Sequence, residues 1–162
     1  MTGQLNKPAI SYKTTRRIDA IKVRKLFHGV QFNHWFGPAD VMWYLKHALF
    51  VASAWTGRQC AGIVVLTGDG RINVNLDLLV VDKAFQGKGI GSTLMELAVR
   101  RVQWLKPYHA SIEVFERRTE RFYARFGFVR NKGTWLLEHA PTAQRLRRKA
   151  TACRQWITKD AT

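Results

Sequence analysis

A chain of 162 residues is the size of one domain, and 46% hydrophobic residues with six Trp and nine Phe can fill one continuous core. Two cysteines, Cys60 and Cys153, lie far apart without CxxC or histidine-spaced partners and offer neither a disulfide framework nor a zinc site. The 27 Lys and Arg against 11 Asp and Glu give a formal +16, a field that draws anions and repels strongly cationic small molecules over a Debye length of about 8–10 Å.

Residues 1–13 lack the apolar core of about 7–15 residues that marks a signal peptide. The longest apolar stretch, residues 48–55, is interrupted and far short of the ~20 residues a membrane span needs. The expectation is a soluble cytoplasmic protein with no membrane partner. Its basic surface leaves a nucleic-acid partner open, and monomer and homodimer are equally open.

In chain order, residues 9–13 read as an edge strand and residues 18–30 as an amphipathic helix with Ile21, Leu26 and Val30 apolar among basic residues. A loop over residues 31–38 leads to Pro38, which suits a helix start, with Val41, Tyr44, Leu45 and Ala48 at helical spacing behind it. Residues 49–55 and 61–67 form a hairpin about Thr56-Gly57-Arg58-Gln59, and Gly68-Asp69-Gly70 is a second turn. Residues 72–81 alternate and then run apolar through Leu78-Leu79-Val80-Val81, which predicts either a β-bulge or burial on both faces. A glycine-rich turn precedes a helix carrying Ile90, Leu94, Leu97, Ala98, Val102 and Leu105, ended by Pro107. Residues 110–115 read as a strand, 119–126 as a short helix closed by Gly127, and 128–130 with 134–137 as a final strand pair.

The predicted order, β-α-α-β-β-β-α-β-α-β-β, is an α/β layer with antiparallel hairpins first and a βαβ crossover in the middle. From Pro141 the composition shifts. Arg145, Arg147, Arg148, Lys149, Arg154 and Lys159 surround a line of Leu146, Ala150, Cys153 and Ile157, so a domain over residues 1–140 is followed by a basic amphipathic helix over residues 141–162.

The turn after residue 81 reads Asp82-Lys83-Ala84-Phe85-Gln86-Gly87-Lys88-Gly89-Ile90-Gly91-Ser92-Thr93. Glycines let successive backbone N–H groups face outward and a helix N-terminus adds partial positive charge, which together cradle an anion such as a diphosphate. Lys83 and Lys88 add charge. The spacing is neither the dinucleotide GxGxxG nor the Walker A pattern.

Gln86-Gly87-Lys88-Gly89-Ile90-Gly91 resembles the Q/R-x-x-G-x-G/A signature of GCN5-related N-acetyltransferases, the GNAT family, and it stands between an apolar strand and a helix as in that family. Phe122-Tyr123-Ala124-Arg125-Phe126-Gly127-Phe128, about 30 residues on, is similar to the family's F-Y-x-x-x-G-F segment. The likeness covers roughly residues 9–137. It implies a mostly antiparallel sheet flanked by helices, and acetyl-CoA as cosubstrate with its pantetheine arm along the backbone of Leu79, Val80 and Val81. The pyrophosphate would rest on Gln86, Gly87, Lys88, Gly89, Ile90, Gly91 and Ser92. No metal is implied.

The chemistry the resemblance implies is direct attack of a neutral amine on the thioester in a ternary complex, through a tetrahedral intermediate, with a proton acceptor for the amine and a donor for the thiolate. Tyr123 matches the family's frequent acid. For the base, Asp77, Glu113 and Glu116 are candidates, as is a water chain. The Asn often found between the strand around Glu113 and Tyr123 is missing. Phe32, Asn33, His34, Trp35 and Phe36 are candidates to line an amine pocket or to stack on a base, with ordinary core as the alternative, and a small or amino-acid-like primary amine is the favoured acceptor. Two alternatives stand beside this: acetylation of a macromolecule (a protein amine or, as in toxin members of the family, a charged tRNA), and an inactive basic RNA-binding module.

Overall fold

The computed structural model describes residues 9–30, 36–114, 117–131 and 134–137. The elements are β1 (Ile10–Lys13), α1 (Ala20–Val30), α2 (Pro38–His47), β2 (Phe50–Thr56), β3 (Gln59–Gly68), β4 (Asn73–Val81), α3 (Ile90–Leu105), β5 (His109–Ile112), α4 (Arg117–Ala124), β6 (Phe128–Asn131) and β7 (Thr134–Leu137). Hydrogen bonding orders the strands β1-β2-β3-β4-β5-β7-β6, antiparallel except for the β4–β5 pair that α3 connects. This is the mixed, mostly antiparallel fold with a central βαβ crossover that the sequence predicts. The residues divide into two compact units, one of residues 1–67 and 77–98 and the other of residues 68–76 and 99 onward.

In the first unit, α1 begins on Asp19, whose Oδ1 accepts the Ile21 and Lys22 N–H groups at 3.0 and 3.4 Å. Its inward face is Val23, Leu26 and Phe27. Ile21, expected inside, stands 58% exposed, because positions 21 and 26 fall on different faces whereas 23, 26 and 27 share one. α2 starts at Pro38, with the Asp40 carboxylate accepting the Gly37 N–H at 2.8 Å, and buries Val41 and Leu45. Arg16 caps its far end by donating to the Lys46 and Ala48 carbonyls at 3.4 and 3.2 Å. Both helices pack on Val51, Trp55, Cys60, Ile63, Val65, Leu78 and Val80 of the strands. A register shift after Ala54, which pairs with Gly62 while Trp55 pairs with Cys60, leaves Ala61 as an extra residue in β3.

The apolar run in β4 resolves as continued alternation. Val74, Leu76, Leu78 and Val80 are buried, and Leu79 and Val81 on the opposite face are half-buried. A register shift that marks a β-bulge lies between β2 and β3.

In the second unit, Asp69 closes the turn before β4, its Oδ1 accepting the N–H groups of Arg71, Ile72 and Asn73 at 2.7, 2.6 and 3.1 Å. The core of this unit is Val74, Leu76, Val102, Ala110, Ile112, Phe128 and Leu137. β5 ends at Ile112, where it pairs with Leu76 and Trp135, so Glu113 lies just past the strand expected to carry it.

Candidate active site

The glycine loop is held in shape by side chains on both sides of it. At its start the Asp82 N–H donates to the carbonyl of the extra residue Ala61 at 2.9 Å. The Asp82 carboxylate accepts the Ala84 N–H at 2.9 Å and Gln59 Nε2 at 3.1 Å, which builds a 3-10 turn over Lys83–Phe85 that the sequence reading missed. Gln86 Nε2 reaches back to the Val81 carbonyl at 3.0 Å. Lys88 Nζ, on an exposed side chain, donates to the Ala84 carbonyl at 2.7 Å and lies 4.8 Å from the Phe85 ring centroid, which ties it back to the start of the loop.

Beyond this brace the backbone turns left-handed at Gly87 (φ 74°) and Gly89 (φ 81°), and a Cβ added at either would meet nothing within 4 Å. Glycine is therefore required here by conformation, and the space in front of the loop is open. The first helical bond runs from the Thr93 N–H to the Gly89 carbonyl at 3.0 Å. The N–H groups of Ile90, Gly91 and Ser92 come before any carbonyl one turn behind, and the helix end carries roughly half a positive charge. Open space, N–H groups that precede the first helical bond and positive potential fit a diphosphate. The helix sits close on the sheet because residue 62 is glycine. A Cβ there would lie 3.1 Å from both Leu94 Cδ1 and the Val80 carbonyl.

β4 pairs with β5 only from Asn73 to Leu76. Among the described residues no strand joins that edge of Leu78, Leu79, Val80 and Val81, so their backbone groups are available to an extended ligand. At the opening, the Tyr44 hydroxyl donates to the Asp77 carboxylate. Burial, then the hydrogen bond and the charge of Asp77, push the Tyr44 hydroxyl well above the usual tyrosine range.

The structure thus brings Asp77, Leu79, Val80, Val81 and the loop from Gln86 to Ser92 together in the first unit. Glu113 and Tyr123 belong to the second. Glu113 is exposed, whereas Tyr123 is half-buried on α4, its ring edge-on to Phe122 at 5.1 Å and to Phe128 at 6.5 Å. Of the aromatic cluster expected at the acceptor site only Phe36 is described, its carbonyl accepting Arg24 Nε at 3.0 Å. Residues 32–35, Glu116 and the tail over residues 141–162 lie outside the described residues. Tyr44 is the polar neighbour that sequence reasoning missed; the only signal for it was a tyrosine on the apolar stripe of α2.

Residues 36–130 match the acetyltransferase (GNAT) domain family. Among solved structures, a GNAT-family acetyltransferase from Streptococcus pneumoniae is 26% identical with a TM-score of 0.65, over 75% of this chain and 88% of that one. Ard1 from Thermoplasma volcanium shares the fold at 17% identity and a TM-score of 0.62, over 79% and 94% of the two chains. PaiA N-acetyltransferase from Thermoplasma acidophilum, solved with coenzyme A, shares it at 13% identity and 0.60, over 79% and 96%. No curated protein matches the sequence. With the family spanning more than half the chain and the glycine loop in the family's place between strand and helix, this protein belongs to the GNAT acetyltransferases, acyl-CoA N-acyltransferases whose cosubstrate is acetyl-CoA.

Proposed function

We propose that the protein moves the acetyl group of acetyl-CoA to a small or amino-acid-like primary amine, by direct attack within a ternary complex. The observation that carries this is the braced loop at the head of α3, left-handed at Gly87 and Gly89 and open in front. In this reading the backbone from Gly87 to Ser92 holds the pyrophosphate, and Leu79 to Val81 align the pantetheine arm as an added strand. Acetyl-CoA supplies the thioester.

Asp77 accepts the proton that the amine nitrogen loses, and Tyr44 holds its carboxylate in place. Glu113, exposed beyond β5, is the second candidate base. Tyr123 gives its hydroxyl proton to the departing sulfur. A cytoplasmic site of action accords with the buried free thiol of Cys60.

The test is release of the CoA thiol with a panel of amines, beside calorimetry with acetyl-CoA. Turnover with at least one free amine is expected. Tight acetyl-CoA binding without turnover on any free amine would overturn the small-acceptor assignment, and absence of binding would overturn the loop's role.

A further inference from the structure

The first unit holds a cleft of about 440 Å³ that ends at Asp82, the first residue of the glycine loop, and is lined by none of residues 86–92. Lys22, Lys25 and Leu26 of α1 line one side, Arg58 at the β2–β3 turn with Gln59 and Cys60 another, and Asp82 the end. Three cations therefore face one carboxylate.

That carboxylate accepts the Ala84 N–H and Gln59 Nε2, both neutral donors, so it keeps its charge at the end of the cleft and the cations outnumber it three to one. Lys22 has Asp19 at 3.7 Å and lies 5.7 Å from the Trp55 ring centroid. Lys25 and Arg58 are exposed. The floor is neutral, since Leu26 is apolar and burial pushes the Cys60 thiol up to about 12. The cleft is thus a cationic rim over an uncharged base, in a chain with an excess of 16 positive charges.

We propose that this cleft binds the backbone phosphates of a single-stranded nucleic acid. A site for one small phosphate would converge its donors on a point. Here the cations stand on α1 and on a hairpin turn around a space large enough for a nucleotide, an arrangement that suits a ligand with repeating charge. Each phosphate neutralised releases condensed counterions, so binding at such a rim is strongly salt-dependent.

The test uses the full chain and a labelled single-stranded RNA of about 12 nucleotides, within common site sizes, by anisotropy at low and moderate salt. Wild type is compared with Lys25→Glu/Arg58→Glu, alongside calorimetry with acetyl-CoA, a thermal melt and a polyglutamate control. The double variant is expected to bind RNA roughly tenfold or more weakly, with a log–log salt slope flatter by ~0.7 for each phosphate no longer neutralised. Its acetyl-CoA affinity and melting temperature are expected to match wild type. Should the reversed pair melt early, Lys25→Gln/Arg58→Gln removes the charge without reversing it and is read the same way.

Four results would each overturn the proposal. These are RNA binding and slope unchanged in the variant, no RNA binding by wild type, acetyl-CoA affinity falling in parallel, which would give the cleft to the cosubstrate, and polyglutamate bound as well as RNA, which would make it a general acidic-protein surface.

Discussion

Tyr44, in the last turn of α2, donates its hydroxyl hydrogen to the carboxylate of Asp77, at the point on β4 where pairing with β5 has just ended. The bond fixes the orientation of that carboxylate from the helix, which is what a proton acceptor beside the cofactor strand requires. Tyr44→Phe removes that donor and leaves the carboxylate unaligned, and kcat is expected to fall several-fold with acetyl-CoA affinity unchanged. Asp77→Asn removes the acceptor and is expected to lower kcat by roughly 10²-fold. Full activity in both variants would pass the base role to Glu113 or to water.

The same pair makes an alkaline signature. Burial first, then Asp77, raises the Tyr44 hydroxyl above its unfolded value of about 10, so the folded chain keeps a proton that the unfolded chain releases. The resulting stability is fully present below pH ~10 and declines as pH rises beyond it. In an ultraviolet titration of the four tyrosines, Tyr44 is expected to ionise last, and Tyr44→Phe to abolish that late step. A tyrosinate titration with no late component would refute it.

At Gly89 conformation and ligand contact make separable demands. Gly89→Ala forces a Cβ into the left-handed region, a strain of about 1–2 kcal/mol, yet adds no clash. Gly89→Asp adds a negative charge where a diphosphate belongs. Gly89→Ala is expected to lower the melting temperature and weaken acetyl-CoA moderately, and Gly89→Asp to remove binding in a chain that still folds. Equal acetyl-CoA affinity in both variants would mean the loop does not hold the pyrophosphate.

Tyr123→Phe keeps the edge-on packing against Phe122 and Phe128 and loses only the hydroxyl. With this hydroxyl as the acid, kcat is expected to fall by roughly 10²-fold or more with acetyl-CoA affinity unchanged. Steady-state kinetics beside calorimetry separates the two, and undiminished kcat would leave the residue a packing element.

The Asp69 turn should respond to acid. Hydrogen bonds from the N–H groups of Arg71, Asn73 and Ile72 hold its carboxyl below the usual carboxylate range. A depressed folded value means the turn's contribution is present above the unfolded value of about 3.9 and disappears as pH falls through the folded one. Asp69→Asn is expected to lower the melting temperature at neutral pH and to show less further loss on acidification than wild type. Parallel acid profiles for the two proteins would contradict this.

The element order was readable because punctuation is local. Gly57-Arg58, Asp69, the glycine loop and Pro107 each stop or turn the chain through their own backbone preferences. The loop's shape was readable for the same reason, since left-handed turns are written as glycines. The inward face of α1 was not, because an exposed Ile21 and a buried Val23 differ in phase rather than in chemistry. Nor was the 3-10 turn, which depends on what the Asp82 carboxylate accepts. The Tyr44–Asp77 bond spans 33 positions, and no local pattern encodes a partner at that distance.

The brace around the glycine loop bears on thermodynamics as well as shape. Gln86 tied to Val81, Lys88 to Ala84 and Asp82 to Ala61 mean that the backbone of the loop is ordered before any anion arrives. A preorganised receptor loses little conformational entropy on binding, so more of the electrostatic attraction survives as affinity. Loosening any one tether would weaken the ligand without touching an atom that contacts it, and the loss would appear in the entropy of binding rather than the enthalpy.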